Sequence, residues 1–576
     1  MTSPAGRARA GQTLAGAAVL ITVVTLASRV VGFGRWLAQG HFLGTGGVDQ
    51  PFNMANQLPN MLFEVAAGGA LAGAVVPLLS GYLTRAGGAG SPQEEAEARA
   101  AASRTASALL GWTLVVLVPL GALVALLAGP VIDVLPLDDP DDVAVATSFL
   151  RVFALQVPLY GLAVVLGGVL QSHKRFFWPA FAPLVSSVVV IVVYAVFGAL
   201  ADGNQRDVAA LSQSALVWLA WGMTAGVAFL VVPLLLPVHR TGIRLRPTLR
   251  FRPGDGSRAA RLAFAGVGAL VAQQLALLVV MLVSHPLGGD TTWTVFLYVQ
   301  QVYLLPFAVL AFPIATSAFP RFAEHGAARR LGPLGDLVAS TTRTLLLVLG
   351  AGVAALLAAA PLVENVFDLV VTGGDAPGMA AGLTWMAPGL VGYALILHLS
   401  RALYSVDRGR AAVVATASGW GVAAALTALL PVLLPAIVGS PAGQQVTPQQ
   451  ALAGIGAANT AGMLVAGLGL LLAVRRHVGD RAVVGVPRTL ALLAAGVAAG
   501  AVAGRLLVPA PDRTVPGEPE VPLDAGALAA DVGLGLLAGL VAAVVVLVVG
   551  VLADPRLRSR AGGLARRLRP GATRRG

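Results

Sequence analysis

Residues 49–77 read DQPFNMANQLPNMLFEVAAGGALAGAVVP. They open an apolar run, 51–81, that is long enough to cross a bilayer yet holds Pro59 and Pro77. A proline inside a helix removes one hydrogen bond and bends it, and in a membrane only neighbouring helices or water can satisfy the freed carbonyl. Asn53, Asn56, Asn60 and Glu64 recur at i, i+3, i+7 and i+11, one stripe of a helix. A polar stripe in lipid must face protein or water. It serves either as interhelical hydrogen-bond glue or as the lining of a cavity, and the residues leave both open. The small-residue patch AAGGALAGA, 66–74, reads as close helix packing rather than as a phosphate loop.

A broken, polar-striped helix belongs among many others. Working outward, apolar runs fall near 12–33, 51–81, 106–131, 146–170, 178–200, 214–238, 262–286, 292–320, 338–363, 378–400, 411–438, 450–474, 488–509 and 526–552. At roughly 20 residues per crossing they predict an all-α, polytopic membrane protein of about fourteen transmembrane helices. No cleavable signal peptide is evident, so 12–33 reads as the first of them. The 576 residues are 57% hydrophobic and 11% charged, with a mean hydropathy of +0.81. A soluble chain carries roughly a quarter charged residues. The absence of cysteine excludes disulfides, thiolate zinc sites and iron–sulfur clusters. There is no Walker A, HExxH or GxSxG pattern, and the seven histidines are dispersed. The chain therefore reads as no enzyme, with no metal and no cofactor, and any transport would be driven by the membrane potential or an ion gradient.

Charge placement tests the map. Basic residues cluster in alternate loops: Lys174 and Arg175 after the fourth run, seven arginines from Arg240 to Arg261 after the sixth, Arg401, Arg408 and Arg410 after the tenth. The opposite loops hold only Arg206 and Arg513, with acids such as Asp138, Asp139, Asp141 and Asp142. Positive residues stay cytoplasmic, which places both termini of this multi-pass chain on the cytoplasmic side of a bacterial plasma membrane. The net charge of +12 then belongs to loops and to an arginine-rich tail, which anchor on anionic lipids rather than bind nucleic acid.

A weak internal repeat supports a doubled architecture. GVLQSHKR, 168–175, parallels RALYSVDR, 401–408, and the eighth run carries Pro306 and Pro313 as the second carries its own prolines. Repeated bundles with broken helices at equivalent places are a transporter pattern, with the site where the repeats meet. The expected organisation is a six-helix lobe at 1–239, a basic cytoplasmic linker at 240–261, a second six-helix lobe at 262–475, two further helices at 487–553 and a basic tail at 554–576.

Ionisable residues inside apolar runs are the candidate site. SRVVGFGR, 28–35, brings Ser28, Arg29 and Arg35 into the first run. A central arginine costs about 2.5–3.5 kcal/mol on insertion scales and so marks function or water. Arg29, further in, is expected to face a cavity; Arg35 either does so too or reaches to the outer interface. Six residues set them about 120° apart on an ideal helix, with Gly32 and Gly34 between them. A guanidinium fork suits a phosphate. Asn53, Asn56, Asn60 and Glu64 are the candidate lining, with Gln273, Gln274, Gln300 and Gln301 as polar candidates in the second half.

These residues are also where the chain resembles the MurJ/MviN family of lipid II flippases. SRVVGFGR resembles its first-helix signature, NQLPN (56–60) its second-helix motif, LQSHKRFFWPAFAP (170–183) its loop into the fifth helix, and RALYSVDRGR (401–410) the equivalent in the second half. The resemblance implies the MOP-superfamily fold, fourteen helices, a central cationic cavity, and alternating access that moves lipid II to the outer leaflet for cell-wall synthesis. It implies a lipid-tail groove at 487–553, and lipid II and cell-wall synthesis proteins as partners. Departures accompany it: Met61, Leu62 and Phe63 follow LPN, and Gln301 precedes Pro306, where the family carries arginines; Trp36 and Gly68 stand where it carries acids. Arg29 and Arg35 remain of its cavity arginines. Another MOP-type exporter and a non-transporting scaffold are the alternative expectations.

Overall fold

The structure, a computed structural model, describes residues 4–65, 72–88, 90–264, 267–372, 376–440, 444–508 and 525–553. Gly68, most of the 66–74 patch and the tail from 554 lie outside the described residues. Among the described residues the regular structure is helical throughout, and the chain divides into two compact units.

The first unit comprises residues 1–274 and 370–374. Its helices are α1 (Pro4–Leu43), α2 (Asp49–Phe63), α3 (Ala72–Gly87), α4 (Pro92–Leu126), α5 (Ala128–Ile132), α6 (Pro140–Phe153), α7 (Gln156–Ser172), α8 (Phe177–Ala201), α9 (Gln213–His239), α10 (Asp255–Phe264) and the start of α11 (Val267–Gly288). Helix starts follow capping rules. Ser91 Oγ accepts from the Glu94 amide, with Pro92 next and Glu94 and Glu95 in the first turn. The α1–α8 pair and the α8–α9 pair are long and tight, and Gly222 and Gly226 of α9 leave room for Val193 and Val190 of α8. Phe52 on α2 is fully buried edge-on to Phe149, Phe153 and Tyr194, which holds α2 against α6 and α8.

The basic stretch 240–261 is laid along this unit. The Arg246 amide donates to Ser107 Oγ at 3.0 Å, and Trp112 Nε1 donates to the Leu249 carbonyl at 3.0 Å. Gly111 permits the approach, since a Cβ there would collide with the Thr248 backbone. At the start of α10 the buried Asp255 accepts from the Tyr82 hydroxyl at 2.8 Å and from Thr105 at 2.9 Å. Arg85 and Arg252 both sit over the Tyr82 ring.

The second unit comprises residues 275–369 and 375–576. It holds most of α11, α12 (Thr291–Pro306), α13 (Phe312–Ala327), α14 (Leu331–Val370), α15 (Met379–Met386), α16 (Gly389–Ser405), α17 (Gly409–Val438), α18 (Pro448–Val478), α19 (Val486–Arg505) and α20 (Ala525–Ala553). The proline-bearing eighth run stays helical, with Pro306 followed by a wide π-helical turn, Phe307–Ala311, before α13. Gly352 of α14 packs against that proline. The 40-residue α14 is the core of this unit. Its carboxylates cap the next helix: Glu364 accepts from the Gly378 and Ala380 amides, and Asp368 from Ala376. α19 and α20 meet along Gly496, Gly500 and Gly504 against Ala538, Ala542 and Val546, the close small-residue seam that membrane helices use.

Among the described residues eleven helices are long and apolar enough to cross a membrane, and the bent pair α15–α16, at 49°, makes a twelfth. The runs at 12–33 and 51–81 correspond to α1 and to α2 with α3, which those twelve do not include. Fourteen therefore stays an expectation, while the polytopic helical class is plain.

The internal repeat is real at the level of single atoms. α7 and α16 have the same length, and both of their ends are displaced by 233 residues. A short break precedes each. After each, Lys174 and Asp407 adopt left-handed φ values of 60° and 59°. The Arg175 amide then donates to Leu170 and the Arg408 amide to Leu403, both at 2.9 Å. Ser172 and Ser405 each donate back to the carbonyl three residues earlier at 2.7 Å. Reversed helix ends of this kind satisfy orphan carbonyls.

Candidate functional site

The sequence-derived candidates fall mostly in the first unit. α1 continues as a helix through Gly32 and Gly34. Arg35 is half-buried, with its guanidinium 5.6 Å from the Trp36 ring centroid and in electrostatic reach of the Tyr160 and Tyr194 hydroxyls. One turn on, Gln39 is buried; its Nε2 donates to Asn53 Oδ1 at 2.8 Å, and its Oε1 accepts from the Tyr194 hydroxyl at 3.4 Å. Along α2 the stripe continues. Asn60 Oδ1 accepts from the Tyr160 hydroxyl at 2.8 Å, and Phe63 stacks on the Tyr160 ring with centroids 4.4 Å apart. Glu64, at the C-terminal end of α2, is also in electrostatic reach of Tyr160. Asn56 Oδ1 is buried with no hydrogen-bond partner among the described residues.

Four helices thus build one lined wall: Arg35 and Gln39 from α1, Asn53, Asn60 and Glu64 from α2, Tyr160 from α7 and Tyr194 from α8. Ser28 is half-buried and Arg29 is exposed, and neither is hydrogen-bonded into this wall. Gln301 belongs to α12 in the second unit, where it is half-buried. Gln274 on α11 is buried.

The sequence reading missed Gln39, Asp49, Tyr160 and Tyr194. Two of these had a local signal. Gln39 follows Arg35 by one turn, and Asp49 extends the asparagine stripe backwards from Asn53 by one turn. Asp49 is fully buried at the start of α2 and accepts from the Gly47 amide at 2.9 Å. Tyr160 and Tyr194 lie in apolar runs more than 100 residues from Arg35, so only the folded chain shows their role.

Chemically, the wall offers a guanidinium that forms no ion pair with any described carboxylate, two phenols and a row of amides. The amides and phenols bond mainly to one another, so they hold the wall in place. A guanidinium with no described carboxylate beside it has the donor fork that suits an anion.

The helical bundles, the 233-residue repeat and the polar wall define a polytopic membrane protein with a transporter fold. The same fold occurs in a solved "Lipid II flippase MurJ, inward closed conformation", with a TM-score of 0.66 at 16% identity over 94% of this chain and all of that one. An inward-facing MATE multidrug transporter of the MOP superfamily aligns with a TM-score of 0.58 at 14% identity over 80% of this chain and 98% of that one. The family profile described as "Lipid II flippase MurJ" matches residues 40–507, and the chain belongs to that family. A probable lipid II flippase MurJ of Rhizobium meliloti (strain 1021) is 28% identical over 60% of this chain, and the match spans 61% of that relative. The lipid II flippase MurJ of Burkholderia cenocepacia is 28% identical over 67% of this chain and 72% of its own length.

Proposed function

We propose that this chain moves lipid II from the cytoplasmic to the outer leaflet of a bacterial plasma membrane by alternating access, as a transporter and not an enzyme. Family membership supports the substrate class, and one observation of the structure carries it: Arg35, half-buried on α1 with no carboxylate among the described residues to neutralise it. A pyrophosphate is the strong anion that a guanidinium fork accepts in two parallel hydrogen bonds. The movement draws on the membrane potential or an ion gradient. Both termini are cytoplasmic, the basic loops and tail rest on anionic lipid, and cell-wall synthesis proteins are its neighbours.

A second reading is favoured by Phe63 on α2, which supplies no charge where the resemblance expects an arginine. With few cations, the wall would suit a less charged lipid or amphiphile, as in other MOP exporters. One experiment separates the two. Cells depleted of their own lipid II flippase accumulate lipid II on the cytoplasmic face. Expression of this chain should clear that pool and restore growth. A chain that reaches the membrane and clears none of it is an exporter of something else.

A further inference from the structure

His398 sits in α16 with no accessible surface, nearly two turns from the helix end. Its Nε2 lies 3.0 Å from Thr341 Oγ1 of α14. That hydroxyl has a single hydrogen, which it donates to the Leu337 carbonyl at 2.8 Å. With that hydrogen assigned to the helix carbonyl, Thr341 Oγ1 is the acceptor and Nε2 carries the His398 proton. Nδ1 is then a bare lone pair, with no hydrogen-bond partner among the described residues. The ring packs against Phe322 of α13 at 5.4 Å between centroids. The titratable groups on the elements packed about α16 are Arg321, Glu324 and His325 on α13, Asp336, Arg343, Glu364 and Asp368 on α14, Tyr393, Arg401 and Tyr404 on α16, Arg410 on α17, and Arg475, Arg476 and His477 on α18. Of these, Arg401 is the one in electrostatic reach of the ring, and its guanidinium lies over Phe319.

The fold does not require a polar group there. The repeat gives the comparison: the equivalent position in α7 is Val165, fully buried and apolar. The second unit has put a basic ring where the first manages with a hydrocarbon. A buried, unsatisfied lone pair is a net cost to the fold, and an intramembrane ionisable group is by default a mark of function. The helix that bears it begins at a bend, where α15 and α16 meet at 49° across Ala387–Pro388.

We propose that His398 Nδ1 is a proton-binding site, and that loading it moves α16 away from α13 and α14. The proton comes from water and converts the imidazole to imidazolium. In the arrangement described, the new Nδ1–H meets no acceptor, and a cation stands beside Arg401. An arrangement in which α16 has shifted and water reaches Nδ1 supplies the missing acceptor and screens the charge of Arg401, which rides on the same helix. A ligand shifts an equilibrium only by its differential affinity for the two states, and here the differential affinity is built in. The consequence that transport is gated by protons rests on the transporter reading; the proton site does not.

The cysteine-free chain allows a direct test without substrate. The Ser405 carbonyl at the end of α16 presses on Gly326 of α13, so Ser405→Cys reports their separation. The purified full-length chain carrying S405C is labelled with a thiol reagent in nanodiscs between pH 8 and pH 5. The same series with His398→Gln, which keeps an N–H donor for Thr341 but cannot be protonated, divides out the pH dependence of the thiol itself. The corrected rate should rise at least about threefold through the histidine range. A flat corrected profile overturns the proposal. If H398Q does not fold, Thr341→Val takes its place: removing the acceptor of the Nε2 proton should displace the midpoint, and an unmoved midpoint overturns the proposal equally. Failure to move lipid II would leave this readout untouched, so the two readings fail separately.

Discussion

Tyr160→Phe removes one oxygen from the polar wall and nothing else. The ring stays stacked on Phe63, but the 2.8 Å hydrogen bond to Asn60 Oδ1 is lost. A bond of this kind contributes about 0.5–1.5 kcal/mol, and an acceptor left buried without a donor costs about 1–3 kcal/mol. Asn60 is half-buried, so water takes up part of the second cost, and about 1 kcal/mol is the working figure. For a unit of this size that is a fall of about 2–4 °C in melting temperature. The assay is thermal unfolding of the purified chain, with Asn60→Ala and the double variant completing a cycle. The two sites should couple by about 1 kcal/mol, because each single change already breaks the bond. Additivity within about 0.3 kcal/mol would refute the reasoning, since residues in contact couple and distant ones do not.

Three further outcomes are expected. The His285–Asp290 pair, 2.6 Å apart, holds the Asp290 carboxyl below its usual value through that hydrogen bond. Its stabilisation is present above the unfolded carboxylate value of about 3.9 and is lost as pH falls through the depressed folded value, so the melting difference between parent and D290N should narrow towards pH 3, and a constant difference contradicts the assignment. Lys174→Val and Asp407→Val force a β-branched residue into the left-handed region and should each destabilise by about 1–2 kcal/mol; unequal losses in the same unfolding assay would mean that the two repeats are not equivalent. In intact cells, an impermeant thiol reagent should label N204C and spare S257C, as the loop charges require; labelling of both, or of S257C alone, inverts the topology.

Much of the fold is legible in the sequence because lipid enforces long apolar runs and positive loops. Even the 168–175 and 401–408 match, three identities in eight, marked a repeat whose hydrogen bonds coincide. Other features were hidden. The break at Ala154–Leu155 lies inside an unbroken apolar run, where hydropathy carries no signal. The first seven residues of α10 fall in the 240–261 stretch that reads as a charged linker, because its buried Asp255 looks like one more loop acid. At the site, the asparagine stripe was visible from its spacing, whereas the phenols that hold it come from α7 and α8. Depth in the apolar run ranks Arg29 ahead of Arg35. The contacts reverse that order, because Arg29 is exposed and Arg35 is the one grouped with Tyr160 and Tyr194.

The most direct test of the account is binding of lipid II to the purified chain, with Arg35→Ala and Arg35→Lys compared by native mass spectrometry or a titration in nanodiscs. Hydrogen bonds to charged groups contribute about 1.5–3 kcal/mol, and each 1.4 kcal/mol is tenfold in affinity. R35A should therefore weaken binding by at least about tenfold, and R35K, with one point charge in place of a fork, should recover only part of it. An R35A variant that folds, inserts and binds lipid II as tightly as the parent would contradict the claim that this arginine receives the pyrophosphate.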